Sequence, residues 1–259
     1  FGHRIVNKIP GITPDTPRQQ IDQAAVVGAG TMGGGITMSY INVGIPVILK
    51  EIDQQSLDKG LDRIRDNYMR SVKRGRFSAQ EVEDRMALIT PTLDYQQLTS
   101  ADIIVEAVFE SLDLKKQVFT ELDGVAKPTA ILASNTSSLS VTLIAASCGK
   151  PERVAGLHFF NPVPLMRLVE VIEGARTGPG VADTLTALGK RMGRVPVRVG
   201  DAPGFLVNQI GRGFTIESAH IVEEGVASWY DIDRILRDGL GFRMGPFELM
   251  DLTALDTTH

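Results

Sequence analysis

Residues 24–33, Ala-Ala-Val-Val-Gly-Ala-Gly-Thr-Met-Gly, set an apolar, strand-like run directly against a glycine-rich turn and the start of a helical pattern. Three glycines within six residues weaken any helix or strand, so the pattern persists where backbone must turn tightly or approach something closely. Gly28 allows the tight turn, Gly30 lets the backbone approach a pyrophosphate, and Gly33 allows close packing of helix on strand. The helix start adds N–H groups and partial positive charge suited to an anion. A helix over 31–42, closed by Gly44, and a second strand over 47–51 complete this opening unit. Glu51 follows Gly33 by 18 residues, at the end of the second strand, where an acid hydrogen-bonds an adenosine ribose. Its charge repels a 2'-phosphate and favours NAD over NADP; Lys50 beside it pulls the other way, and Asp53 is a second candidate for the ribose.

Strand candidates then recur over 102–108, 130–134, 154–160, 168–172 and 195–199, alternating with helical patterns over 112–126, 141–147 and 181–192. That alternation predicts an α/β, doubly wound Rossmann-type sheet. The charged run from Gln54 to Arg76 has helical periodicity, and Ser78-Ala79-Gln80-Glu81 matches a capping box, so the two read as an inserted helical hairpin. After Gly200 only helical patterns appear, over 203–224 and 231–240. The expected organisation is a lead-in over 1–22, an NAD-binding domain over 23–200 and a smaller all-helical domain over 201–259.

A net charge of -4 gives no global reason to bind nucleic acid or an anionic membrane, which points to a small-molecule partner. Cys148 is the only cysteine, so no intrachain disulfide can form, and no His/Cys grouping suggests a metal. There is neither an apolar run of membrane-spanning length nor a signal-like N-terminus, and a cytoplasmic or organelle-matrix location is expected, the cytoplasm first.

Residues 154–173 place His158 and Glu170 at mirror positions about a Pro-rich turn centred on residue 164. If the chain reverses there, the two become cross-strand neighbours with Cβ atoms roughly 4.5–5.5 Å apart. Such a carboxylate takes one ring N–H and leaves the other nitrogen to accept a proton at neutral pH. The stretch alone fits equally a half-buried His satisfied by a nearby Glu. Val108, Phe109 and Glu110 end one strand, Lys115 lies a turn into the next helix, and Asn135-Thr136-Ser137 ends another strand. In a doubly wound sheet these strand ends border the cofactor crevice, although any one of them also suits ordinary helix capping.

With Ser134-Asn135-Thr136-Ser137-Ser138, His158-Phe159-Phe160-Asn161-Pro162, Leu168-Val169-Glu170-Val171 and Pro203-Gly204-Phe205-Leu206-Val207-Asn208, the chain resembles the (S)-3-hydroxyacyl-CoA dehydrogenase family from about Gln23 onward. The likeness is greatest to bacterial members, including the dehydrogenase part of multifunctional fatty-acid oxidation proteins. The resemblance implies oxidation of a 3-hydroxyacyl-CoA with NAD, in fatty-acid β-oxidation or related catabolism. It implies His158 as base, Glu170 as its orienting carboxylate, Ser137 and Asn208 as substrate contacts, and Asn161 beside the reacting carbonyl and nicotinamide. Met32, Glu51, Val108, Phe109, Glu110 and Lys115 match NAD contacts; Asn67 and Arg74, on one face of the hairpin, fall near positions used for CoA. Family members form homodimers through a helical C-terminal domain longer than the 59 residues that follow Gly200, so that domain is expected to be incomplete here. Rival readings are a dehydrogenase of a free hydroxy or sugar acid on the same fold, and a non-catalytic NAD-binding relative.

Overall fold

The structure is a computed structural model that describes residues 18–253; of the lead-in expected over 1–22, residues 1–17 lie outside the described residues. The first compact unit runs to Pro203 and the second begins at Gly204.

The first unit opens with β1 (Ala24–Val27), α1 (Thr31–Ile41) and β2 (Val47–Lys50). The helical hairpin follows as α2 (Gln54–Lys73) and α3 (Ala79–Met86), then β3 (Ile89–Thr92) and a short 3-10 segment, Tyr95–Ser100. The chain continues through β4 (Ile103–Glu106), α4 (Leu112–Val125), β5 (Ile131–Ser134), α5 (Val141–Ala145) and β6 (Val154–Phe159). It ends with β7 (Leu168–Glu173), α6 (Val181–Arg191) and β8 (Val195–Gly200).

The strands form one sheet in the order β3-β2-β1-β4-β5-β6-β7-β8. All neighbouring pairs are parallel except β6 with β7, which run antiparallel. The buried strands β1, β2, β4 and β5 read as apolar runs, the last three closed by Lys50, Glu106 and Ser134, rather than as alternating patterns, as suits strands covered on both faces. Strand order reverses between β1 and β4, so the crevice beyond their carboxyl ends is where a doubly wound sheet takes its ligand.

The hairpin packs through Leu57, Gly60, Ile64 and Tyr68, one stripe at helical spacing. Tyr68 also donates to Asn42 Oδ1 at 2.8 Å, tying the hairpin to the end of α1. The capping box at Ser78 and Glu81 forms as the sequence predicts. Strand β3 was not predicted: it carries Pro91, which cannot donate to a ladder and is tolerated because β3 is an edge strand.

The second unit is helical: α7 (Val207–Glu223), α8 (Trp229–Arg234) running into a π turn over Ile235–Gly239, and α9 (Pro246–Thr253). Among the described residues no helix is long and apolar enough to cross a membrane.

Candidate active site

The crevice begins at the glycine turn. Gly28 has φ of +99°, and a Cβ there would lie 2.7 Å from Ala107 O. A Cβ on Gly33 would come within 1.7 Å of Gly28 O, whereas one on Gly30 would meet nothing within 4 Å. Only Gly30 therefore faces open space. Helix α1 starts at that residue without a side-chain cap, so its first N–H groups face the same opening. A cavity of about 640 Å³ opens here, lined by Gly28, Gly30, Glu51, Val108 and Phe109 among others. Glu51 is pinned at its mouth: Oε1 accepts from the Ala29 N–H at 2.6 Å and Oε2 from the Ile52 N–H at 2.8 Å. An uncapped helix start, a glycine with no Cβ in its way and an immobilised acid fit the pyrophosphate and ribose of NAD.

Lys50 and Asp53, the two residues that complicate the reading of the ribose site, both have partners, and Lys50 also lines the cavity. Lys50 lies 3.9 Å over the Tyr95 ring; burial lowers its pKa, and Glu51 and Glu121 oppose that shift. Asp53 caps α2, accepting from Ser56 N at 2.7 Å and from Ser56 Oγ at 3.1 Å.

Beside the cavity lies a buried charge network. Strand β4 ends on Glu106, fully buried, and Oε1 of that residue accepts from Lys115 Nζ at 2.6 Å and from the Val108 N–H at 2.7 Å. Its Oε2 accepts from Ser134 Oγ at 2.7 Å. Lys115 also reaches Glu110 Oε2 at 3.2 Å. Its ammonium, 1% exposed, thus sits inside the protein, between two carboxylates and 3.4 Å from the carbonyl of Val108, which lines the cavity. Glu110 in turn accepts from Thr136 Oγ1, from the Ser137 N–H at 2.9 Å and from Ser137 Oγ at 3.3 Å. Burial alone would raise its pKa, but the Thr136 hydrogen bond, the Lys115 charge and the Ser137 N–H hold it below the usual carboxylate range. Glu106 escaped sequence reasoning; its only signal was an acid closing the apolar run Ile103-Ile104-Val105.

His158 and Glu170 are Cα partners in the antiparallel β6–β7 ladder. His158 Nδ1 meets Glu170 Oε2 at 2.8 Å, with the side chains 6% and 0% exposed. A carboxylate on Nδ1 selects the Nδ1–H tautomer and leaves Nε2 as the acceptor. The Phe160 ring packs against the imidazole with centroids 4.4 Å apart. Asn135, nine-tenths buried, accepts from the Phe159 N–H at 2.9 Å, so the ends of β5 and β6 are stitched together and residues 135–137 flank the His158 strand. Asn161, exposed, starts the turn into β7 through a cis peptide to Pro162.

The other expected site residues fall as follows. Met32 is half-buried in the first turn of α1. Asn67 is half-buried on α2 with Nδ2 3.9 Å from Met38 Sδ, and Arg74 is exposed at the C-cap of that helix. Asn208 lies in the first turn of α7, in the second unit.

A crevice of the dinucleotide-binding kind, on a sheet that also carries a buried His–carboxylate pair on β6 and β7, fits an NAD-binding protein of the dehydrogenase type. The model of the 3-hydroxyacyl-CoA dehydrogenase NAD binding domain matches residues 23–202, and that of the 3-hydroxyacyl-CoA dehydrogenase C-terminal domain matches residues 204–259. The chain belongs to the 3-hydroxyacyl-CoA dehydrogenase family. It is 42% identical over 236 residues to the 3-hydroxyadipyl-CoA dehydrogenase of Escherichia coli (strain K12), covering 91% of this chain and 50% of that protein. It is 42% identical over 232 residues to the 3-hydroxybutyryl-CoA dehydrogenase of Clostridioides difficile, covering 90% of this chain and 83% of that one. The chain thus spans half the length of the first relative and most of the second. The crystal structure of (S)-3-hydroxybutyryl-CoA dehydrogenase from Ralstonia eutropha superposes with a TM-score of 0.90 at 36% identity, covering 92% of this chain and 84% of that one.

Proposed function

We propose that this chain oxidises the 3-hydroxyl of an (S)-3-hydroxyacyl-CoA to a ketone, in fatty-acid breakdown or related acyl-CoA catabolism. The observation that carries the reading is the buried His158–Glu170 pair at 2.8 Å, on a strand whose Phe159 is tied to Asn135, two residues before the Ser137 that bonds Glu110. NAD, when bound, supplies the hydride acceptor. His158 takes the hydroxyl proton at Nε2 while Glu170 holds the Nδ1–H and stabilises the cation that forms. Ser137, anchored on Glu110, holds the oxygen on C3, and Asn161 donates to the thioester carbonyl. Asn67 and Arg74 hold the CoA moiety. Two copies pair through the second unit, and the protein works in the cytoplasm.

The names of the relatives make 3-hydroxybutyryl-CoA and 3-hydroxyadipyl-CoA the first substrates to assay. A positioned general base contributes about 10^2 to 10^4 in rate. His158→Gln should lose that much kcat with NADH affinity unchanged. Turnover within a few-fold of wild type would remove His158 as the base, and loss of NADH binding would mean the substitution damaged more than the base.

A further inference from the structure

Arg194, between α6 and β8, is a cation used in an unusual way. Its Nη1 donates to two carbonyls of the β6–β7 turn, Val163 O at 2.8 Å and Met166 O at 2.5 Å. Its Nη2 donates to Ser39 Oγ on α1 at 2.6 Å, and the Ser39 hydroxyl donates to Gly35 O at 3.0 Å. The guanidinium carbon lies 5.9 Å from the centre of the Phe159 ring, the residue after His158. Burial lowers the Arg194 pKa with no carboxylate opposing it, and its buried Nε has no hydrogen-bond partner among the described residues. Desolvating a cation to hold neutral carbonyls is costly, and a neutral donor would serve a merely structural turn at less cost.

What the guanidinium holds is the link between the two strands that carry His158 and Glu170. Val163 points inward, 2% exposed, against α1, where a Cβ on Gly35 would come within 2.6 Å of the Val163 Cβ. Leu165 and Met166 point outward, 71% and 40% exposed, and Asn161 begins the same turn. Helix α1, strand β6 and the entry to β8 therefore converge on one side chain that fixes an apolar lip beside the catalytic pair.

We propose that Arg194 is a positioning residue for the acyl-CoA substrate, holding the 161–166 turn so that Asn161, Leu165 and Met166 form a fixed rim for the thioester and the first carbons of the acyl chain. This rests on the function proposed above. The His158–Glu170 hydrogen bond and the glycine turn both lie outside the rim, so its loosening acts first on substrate binding.

The test compares wild type, Arg194→Met and Arg194→Lys in steady-state kinetics with acetoacetyl-CoA and NADH, alongside NADH titration and amide hydrogen exchange. Arg194→Met should raise KM for acetoacetyl-CoA about tenfold or more with a smaller change in kcat, while NADH affinity and the pH profile of kcat stay as in wild type. Arg194→Lys, which keeps charge and donors, should recover much of the loss. The Leu165 and Met166 amides, which donate to Pro162 O at 2.9 and 3.0 Å, should exchange about tenfold faster in Arg194→Met while the β6–β7 ladder is unaffected. An active wild type with unchanged KM and unchanged exchange in Arg194→Met overturns the proposal. Faster exchange with unchanged KM overturns the substrate role. A wild type inactive on every acyl-CoA overturns the function reading instead, and exchange still reports whether Arg194 holds the turn. If Arg194→Met does not fold, Arg194→Lys carries the test: its KM should exceed that of wild type, and equality overturns the proposal.

Discussion

Substituting Lys115 by Met would expose how much of the first unit depends on its buried charge network. The change removes the ammonium that sits 2.6 Å from Glu106 and 3.2 Å from Glu110, and Met roughly fills the space of the aliphatic stem. The Glu106 side chain is 0% exposed, so its carboxylate is left in the interior with only the Val108 N–H and the Ser134 hydroxyl. Breaking one side of a buried pair costs about 3–5 kcal/mol, most of it the penalty of the orphaned charge. In a unit of this size each kcal/mol moves the midpoint by about 2–4 °C, so Tm should fall by about 6–20 °C. The double variant Lys115→Met/Glu106→Gln removes the orphan as well, because a neutral amide can still accept from Val108 N–H and donate to Ser134. It should be more stable than Lys115→Met alone, with a coupling energy of about 2 kcal/mol or more in the four-member cycle. Urea and thermal unfolding at pH 7 without cofactor provide the numbers. If the two single changes add to within about 0.5 kcal/mol, the charges are not coupled and the network is a bystander.

The glycine turn yields a prediction that separates folding from binding. Gly30→Ala should melt like wild type, because its Cβ meets no atom within 4 Å, yet should bind NADH at least about tenfold more weakly, since the methyl enters the space left for a pyrophosphate. Gly33→Ala, with its Cβ 1.7 Å from Gly28 O, should lose stability first; calorimetric titration beside a melting curve decides, and wild-type affinity in Gly30→Ala would contradict the placement. Asp201 accepts from Ser140 Oγ, Val141 N–H and Thr142 N–H at 2.7, 3.0 and 2.8 Å; burial alone would raise its pKa, but these bonds hold it below the usual range. With the folded pKa depressed, its stabilisation is complete above the unfolded value of about 3.9 and disappears as pH falls through the folded one. Asp201→Asn should therefore cost about 1–2 kcal/mol at pH 7, and the gap to wild type should close in acid; a gap undiminished at pH 2 would show that the charge is not what holds α5.

Glu51 and Glu106 show where a sequence stops speaking. Both are acids at the carboxyl ends of the apolar runs of β2 and β4, the two strands that flank β1 in the sheet. Glu51 is legible because its task follows from its spacing to the glycine turn, and β2 lies one strand away from β1 with the cavity beyond it. Glu106 ends a strand flanked on both sides, opposite Val27 on β1 and Ser134 on β5, so it is enclosed by strands distant in the chain. Its partner, Lys115, looks from its spacing like another crevice contact, and nothing in that spacing shows that its ammonium also lies 2.6 Å from Glu106. The His158–Glu170 pair escaped this ambiguity because a hairpin closes within the chain, so covalent spacing alone sets its register. Arg194 is the opposite case. In the sequence it is one more base at the end of a helix, and its acceptors lie 28, 31 and 155 residues away on the β6–β7 turn and α1. Contacts closed within one supersecondary unit leave a periodicity to read, whereas those that join layers leave none. The residues holding this site in place belong largely to the second kind, so substitutions at Glu106, Lys115 and Arg194 should damage function as surely as those in the recognisable motifs.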